Sequence, residues 1–168
     1  MTKTKTQKIV FTALLTALTC VTTMAVKIPT PLGGYANLGD AIVLLSAALL
    51  SPVYAIFAAG VGSALADLFS GYALYAPATL VIKALMALIF LGIAKLFHGK
   101  KRILAETVGA ALAAVWMVTG YYIFEGFLYG FGASLINITA NAMQGVIGAL
   151  LGVILIHLVE KISPKTGK

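Results

Sequence analysis

The chain has 168 residues, of which 61% are hydrophobic and only 10% are charged, and its formal net charge is +7. So little polar surface excludes a soluble globule and predicts an integral membrane protein. The basic residues do not form a stripe along one element, so the positive charge indicates orientation in a membrane rather than nucleic-acid binding. The single Cys20 excludes an intramolecular disulfide and a cysteine metal cluster.

Apolar runs between Gly, Pro, Asn and charged residues predict an all-α fold, with residues 1–168 forming one domain of six transmembrane helices. The fourth helix carries Pro77 in its first turn, where a missing N–H is harmless. The first run lacks a clear small-x-small cleavage site and holds five threonines, so it is predicted to remain as a helix rather than act as a cleaved signal peptide. The approximate predicted bounds are Ile9–Val26, Asp40–Leu50, Val53–Phe69, Pro77–Phe97, Leu104–Phe124 and Ser134–Val159.

Ten of the twelve basic residues fall on one side of the bilayer if an even number of helices separates their three groups. This is the positive-inside pattern, and it predicts that both termini and the break at 98–102 are cytoplasmic. The loops 27–39, 70–77 and 125–132 would then face outward. The ten residues are Lys3, Lys5, Lys8, Lys95, Lys100, Lys101, Arg102, Lys161, Lys165 and Lys168.

The second predicted helix has about eleven residues, and at 1.5 Å per residue it cannot cross a hydrocarbon core of about 30 Å. It must be shielded by neighbouring helices, tilted, or continued by the loop before it. Irregular backbone survives at membrane depth only inside protein or along a cavity, so this segment predicts a cavity near the outer face.

Small residues recur at four-residue spacing on three helices, which allows helix backbones to approach closely in lipid. Ordinary packing within the bundle is the alternative explanation for each motif. A polar threonine stripe beside the first motif either bonds back to its own helix or meets a partner helix. The motifs are Ala13 and Ala17, then Ala55, Ala59 and Ser63, then Gly148 and Gly152, and the stripe is Thr12, Thr16, Thr19 and Thr23.

Polar side chains inside apolar runs are costly in a membrane and are therefore candidate functional residues. Lys83 lies about seven residues inside the outer end of its helix, too deep to face lipid, so it is predicted to point into the bundle. Asp40, Asp67 and Glu125 fall near outer helix ends. One of them could pair with Lys83, either in a purely structural ion pair or within a ligand site.

The sixth helix presents Asn137, Asn141 and Gln144 at i, i+4 and i+7, with Gly148 leaving space one turn further. This amide face suits a small ligand with hydroxyls and ring nitrogens, and hydrogen bonding between helices without a ligand is the alternative. Aromatic side chains supply flat surfaces for a ligand or an interfacial belt. They are Tyr72, Tyr75, Trp116, Tyr121, Tyr122 and Tyr129.

Polar groups thus concentrate toward the outer half of the bundle, while the inner half is largely Ala, Leu, Ile, Val and Gly. The sequence shows neither the continuous polar path of a channel nor the internal repeats of an ion-coupled carrier. It holds no Walker-type loop, so the chain is predicted to have no ATPase of its own. His98 and His157 lie toward cytoplasmic helix ends, remote from the acids, which argues against a metalloenzyme or a Ser/His hydrolase. These features predict an outward-open binding cup without its own motor.

Five stretches, in this order, resemble the substrate-binding S component of energy-coupling factor (ECF) vitamin transporters. They are the basic amino terminus, Ala13-Leu14-Leu15-Thr16-Ala17, YANLGDAIVLL after a Gly/Pro loop, DLFSGYALYAPATLVIKALMAL and NITANAMQGVIGALLG. The resemblance covers nearly the whole chain and includes the six-helix plan. It implies a multi-pass plasma-membrane subunit that binds a water-soluble vitamin or precursor and needs no cofactor.

The resemblance also implies roles for individual segments. Ala13 and Ala17 would dock against a transmembrane coupling subunit whose two associated ATPases drive transport. The loop 27–39 would act as a lid over the vitamin, and the stretches around Lys83, Glu125 and Asn141 are most similar to the branch handling pyridoxine or hydroxymethylpyrimidine. The expected substrate-binding residues are Tyr35, Asn37, Asp40, Asp67, Tyr75, Lys83, Trp116, Tyr121, Glu125, Asn137, Asn141 and Gln144.

Two alternatives remain open at this point. One is a riboflavin-type S component, and the other is a membrane scaffold protein whose polar ladder only locks helices together. A membrane enzyme is less favoured because no nucleophile and base are arranged together.

Overall fold

A computed structural model of the protein describes residues 4–96 and 102–162 as a bundle of six helices with one small hairpin. Lys3, Phe97, His98, Lys100, Lys101, Lys165 and Lys168, which figure in the predictions above, lie outside the described residues. The elements are α1 Lys5–Ala25, β1 Lys27–Pro29, β2 Tyr35–Asn37, α2 Gly39–Leu49, α3 Pro52–Phe69, α4 Ala76–Leu96, α5 Arg102–Tyr129 and α6 Phe131–Ile162.

Five of the described helices are long and apolar enough to cross a bilayer, and the fold is that of a polytopic membrane protein. Local signals explain where several of them begin. Thr4 and Gln7 form a capping box at the start of α1, Pro52 occupies the first turn of α3, and Pro77 lies in the first turn of α4 as predicted.

The exception is α2, whose eleven residues are too few to span. Its residues from Gly39 to Ala47 are all buried, because α1, α3, α4 and α6 surround it. The predicted shielding of this segment is therefore confirmed, and α2 is a short central helix enclosed by four longer ones.

Glycines on α6 allow the closest approach to α2. A Cβ added at Gly148 would lie 2.6 Å from Asp40 Cβ, and one at Gly152 would lie 2.8 Å from Leu44 Cδ1. The Gly148–Gly152 motif is thus a helix-packing surface. The space predicted beside Gly148 is filled by the Cβ atom of Asp40. The motif of Ala55, Ala59 and Ser63 is buried in the bundle as well.

The threonine stripe of α1 also faces the bundle. The hydroxyls of Thr12, Thr16 and Thr19 donate to the carbonyls four residues earlier, and α3 packs so closely here that a Cβ at Gly62 would lie 2.7 Å from the Thr16 carbonyl oxygen. The stripe therefore meets a partner helix and also bonds back to its own helix, except at Thr23, whose hydroxyl has no hydrogen-bond partner among the described residues. Ala13 and Ala17, on the neighbouring face, are exposed.

The segment predicted as a loop at 27–39 contains an antiparallel hairpin, with Lys27 paired to Asn37 and Pro29 paired to Tyr35. The tip turns at Gly33, whose φ of 82° favours glycine, and Thr30 N–H donates to the Gly34 carbonyl at 2.9 Å. This hairpin marks one end of the bundle, called the hairpin end below.

The two last helices are longer than predicted, 28 residues for α5 and 32 for α6. The stretch beginning at Glu125 continues α5 although its charge and glycines suggested a loop. It stays helical because Glu125 finds partners on other elements and Gly126 packs beneath the ring of Phe131. The chain reverses at Gly130, whose φ is 90°.

A charged cluster joins α5 to α6 at the end opposite the hairpin. Arg102 forms ion pairs with Glu106 and with Glu160, and His157 Nε2 lies 3.6 Å from Glu106 Oε2. The prediction that His157 is remote from the acids was wrong, because the antiparallel pairing of α5 and α6 brings together residues far apart in the chain. Glu106 is only 4% exposed, so this half of the bundle is less uniformly apolar than predicted.

Candidate functional site

A small polar cavity lies beneath the hairpin, with a free volume of about 20 Å³. This volume holds about one water molecule, so the side chains on opposite walls of the cavity lie close to one another. The hairpin segment, the first turns of α4 and the hairpin-end turns of α3, α5 and α6 contribute its walls. The lining residues are Thr30, Gly34, Tyr35, Asn37, Asp67, Tyr75, Thr79, Tyr121, Glu125 and Asn141.

The hairpin is tied to α3 over this cavity. The Tyr35 hydroxyl donates to Asp67 Oδ1 at 2.6 Å, and the Tyr35 ring lies 4.5 Å from that of Tyr72. Lys27 Nζ donates to Ser70 Oγ at 3.1 Å. Burial, followed by the bond to Asp67, raises the pKa of Tyr35, so its hydroxyl stays protonated and keeps donating.

Tyr75 connects the hairpin tip to α5. Its hydroxyl lies 3.1 Å from the Leu32 carbonyl oxygen and 3.3 Å from Glu125 Oε1. A tyrosine hydroxyl has one proton, so these two acceptors share it. Burial is the main cause that raises the pKa of Tyr75, and its ring packs edge-on against Phe124 at 5.3 Å.

Glu125 also bonds to α6, where Asn137 Nδ2 donates to its Oε1 at 2.9 Å. The other Glu125 oxygen, Oε2, and the amide oxygen of Asn137, Oδ1, are buried without a hydrogen-bond partner in the described part of the chain, as is Asp67 Oδ2. Buried polar groups are nearly always paired in folded proteins. These three oxygens are therefore the most unusual feature of the site.

A chain of polar contacts runs beneath the cavity. Lys83 forms a buried ion pair with Asp40 Oδ1, and Gln144 Nε2 donates to Asp40 Oδ2 at 2.8 Å. Gln144 Oε1 in turn accepts from the backbone N–H of Asn37 at 2.9 Å. Asp40 is thus the partner of Lys83, and Gln144 links this pair to strand β2 of the hairpin.

Tyr121 contributes an aromatic ring to the lining of the cavity, and its hydroxyl lies 3.0 Å from Thr79 Oγ1. Lys83 Nζ lies 5.5 Å from the Tyr121 ring centroid, within cation–π range. Trp116 does not line the cavity, and its Nε1 donates to the Ile82 carbonyl at 3.1 Å.

The structure brings together most of the residues predicted from the sequence, in two layers. Around the cavity lie Tyr35, Asn37, Asp67, Tyr75, Tyr121, Glu125 and Asn141. Asp40, Lys83, Asn137 and Gln144 support them through the contacts above. Sequence reasoning missed Thr30, Gly34 and Thr79 as lining residues. A Cβ at Gly34 would lie 3.3 Å from the Tyr75 ring, so the hairpin packs closely on Tyr75 at this position. The Gly33-Gly34 pair is the sequence signal that could have indicated this close packing.

Two larger hollows lie on the outside of the bundle and are almost entirely apolar. One, of about 600 Å³, runs between α5 and α6 and includes Ala111, Ala114 and Gly145. The other, of about 440 Å³, lies between α1 and α3 and includes Ala13, Ala17 and Phe57. The threonine hydroxyls that line them donate to carbonyls of their own helices, and convergent polar groups such as fix a water-soluble ligand lie instead in the cavity beneath the hairpin, which is therefore the candidate ligand site.

The fold and this cavity define a polytopic membrane protein with a polar site enclosed at one end of an apolar bundle. The family described as "ECF-type riboflavin transporter, S component" matches residues 3–161, and the chain belongs to this family. S components bind small vitamin substrates and work with an ECF module. The chain is therefore a multi-pass plasma-membrane transporter subunit and not an enzyme.

Two relatives show how far this similarity extends. An "Uncharacterized protein in gap 3'region" of Pyrococcus woesei is 40% identical over 142 residues, which cover 84% of this chain and 93% of that protein. The "Thiamine precursor transporter HmpT" of Lactococcus lactis subsp. cremoris (strain MG1363) is 26% identical over 166 residues, which cover 92% of this chain and 89% of that protein.

Proposed function

We propose that this subunit captures hydroxymethylpyrimidine, or pyridoxine or another B6 vitamer, in the cavity beneath the hairpin and delivers it through an ATP-driven coupling module. The cavity carries this proposal, because it combines buried carboxylates, amides and tyrosines in a bundle that is largely apolar. Such convergent polar groups orient a small polar ring. The similarity to a thiamine precursor transporter supports the same class of substrate.

The small free volume favours a single-ring substrate. With about 20 Å³ of free space, even one ring requires the hairpin or the tyrosines to move apart. Riboflavin, with three fused rings and a ribityl chain, would require a much larger displacement. It remains the second candidate because the family description names it.

We place the hairpin end outside the cell. The described basic residues other than Lys27 and Lys83 lie at or near helix ends opposite the hairpin, as the positive-inside rule requires for cytoplasmic ends. They are Lys5, Lys8, Lys95, Arg102 and Lys161. The hairpin would then be the lid through which substrate enters.

The groove between α1 and α3 is the surface that we assign to the coupling subunit. Ala13 and Ala17 are exposed on it, and Phe57 and Phe69 line its other side. Small side chains allow a partner helix to approach closely in lipid. The partners are a transmembrane coupling subunit and its two ATPases.

Calorimetry with the purified, detergent-solubilised protein tests the binding function. Hydroxymethylpyrimidine or a B6 vitamer should bind saturably, and riboflavin should bind much more weakly or not at all. Preferential riboflavin binding would favour the second candidate. An absence of saturable binding for all of these compounds would contradict the proposal.

Asn141 separates ligand binding from a scaffold role. It lines the cavity and, within the described residues, its side chain makes no hydrogen bond that would lock helices together. Asn141→Leu should therefore yield a folded protein with weaker ligand binding. A scaffold whose polar ladder only holds helices together would show no ligand binding to lose.

A further inference from the structure

The cavity offers a ligand two unpaired carboxylate oxygens. Asp67 and Glu125 line it, and within the described residues Asp67 Oδ2 and Glu125 Oε2 are buried without a hydrogen-bond partner. Their side chains are 4% and 2% exposed, respectively. Because an unpaired buried acceptor is unfavourable, a ligand that donates to these oxygens gains most from binding.

The donors around the cavity are largely engaged already. The hydroxyls of Tyr35 and Tyr75 donate to carboxylate or carbonyl oxygens, and the backbone N–H of Asn37 donates to an amide oxygen. Among the described lining side chains, Thr30 and Asn141 keep an uncommitted donor, and the single hydrogen bond between the Thr79 and Tyr121 hydroxyls leaves one of their two protons free. A ligand that presents mainly acceptors would therefore meet only neutral hydroxyl and amide donors.

The charges lead to the same conclusion. Asp67 and Glu125 both line the cavity, and within the described residues neither forms an ion pair. The nearby ammonium of Lys83 is engaged by Asp40. A carbonyl oxygen placed against these carboxylates would be repelled, whereas a positively polarised N–H group would be attracted.

We propose that the substrate binds through an exocyclic amino group that donates its N–H. Glu125 receives this group on one side of the cavity, or Asp67 receives it on the other. This inference rests on the proposed function and adds the chemical feature by which the site selects its substrate. An amino-substituted pyrimidine or pyridine fits it, whereas the two carbonyls of a flavin ring do not.

Matched ligand pairs test the inference in either ring series. The compound 4-amino-5-hydroxymethyl-2-methylpyrimidine is compared with its 4-oxo counterpart, and pyridoxamine is compared with 4-deoxypyridoxine. Calorimetry on the purified full-length protein should show roughly 10- to 100-fold tighter binding of the amino member in the series that binds. Equal affinity within that pair overturns the inference but leaves the proposed function standing. Failure of all four compounds to bind overturns both.

A carboxylate-to-amide substitution adds a second measurement. In Glu125→Gln the new amide can donate to a carbonyl, so the preference for the amino ligand should fall at least about tenfold or reverse. Glu106→Gln is the matched control, because that buried carboxylate lies at the opposite end of α5. The Glu106→Gln protein should prefer the amino ligand over its partner by the same factor as the wild type. If Glu125→Gln does not fold, Asp67→Asn supplies the same comparison. An unchanged preference in the folded variant overturns the inference.

Discussion

The buried ion pair between Lys83 and Asp40 should make each residue depend on the other. Their side chains are 2% and 1% exposed, so neither charge reaches water when its partner is removed. Lys83→Met leaves the Asp40 carboxylate bonded to Gln144 alone and should lower the free energy of unfolding by about 3–5 kcal/mol. Adding Asp40→Asn removes the stranded charge and keeps an acceptor for Gln144, so the double variant should lie within about 1–3 kcal/mol of the wild type.

The effect of Asp40→Asn on stability should change sign between the two backgrounds. Asp40→Asn should destabilise the wild type, because it strands the lysine, but should stabilise the Lys83→Met protein. Denaturant unfolding in detergent micelles, followed by the fluorescence of Trp116, measures all four proteins. Lys8→Met is the matched control, because Lys8 is exposed and forms no ion pair with the described residues, and its loss should cost less than about 1 kcal/mol. A Lys83→Met protein as stable as the wild type would refute the reasoning.

Three further predictions concern other parts of the molecule. Ala17→Leu should abolish uptake in cells while leaving ligand affinity intact. Ala111→Leu, in the groove between α5 and α6, is the control and should affect neither uptake nor affinity. Equal loss of uptake and binding by Ala17→Leu would mean that the substitution disrupts the bundle. Tyr75→Phe removes the proton shared between the hairpin and Glu125, so ligand should dissociate several-fold faster in stopped-flow measurements. Unchanged release would show that this contact does not hold the hairpin. Gly148→Ala should destabilise the protein by about 1–3 kcal/mol in the same unfolding assay, because its Cβ would meet Asp40 at 2.6 Å.

The features that could be predicted are those that depend on residues close together in the sequence. Apolar runs and breakers predicted the order of the helices, and the i, i+4, i+7 spacing correctly placed Asn137, Asn141 and Gln144 on one buried face. The length of α2 was sufficient to predict that other helices enclose it. Such features follow from helical periodicity and from the thickness of the bilayer.

The remaining features depend on contacts between distant segments. Three carboxylates lay at suitable depth for Lys83, and only the packing of α2 against α4 selects Asp40. Strands of three residues are too short to show alternation, so the hairpin was predicted as a loop, and Thr30 and Gly34 were missed with it. Glu125 resembled a loop residue, because its partners, Asn137 on α6 and Tyr75 just before α4, are identified only by the fold.

The enclosed position of α2 has a consequence for biogenesis. With eleven residues and a carboxylate in its first turn, this segment is a poor independent substrate for membrane insertion. The partners of Asp40 are synthesised 43 and 104 residues later. We therefore expect α2 to settle between its neighbours only when the last helix arrives. With Val43→Cys in a Cys20→Ser background, ribosome-bound chains that end before α6 should react with water-soluble thiol reagents at position 43, and full-length chains should be protected there.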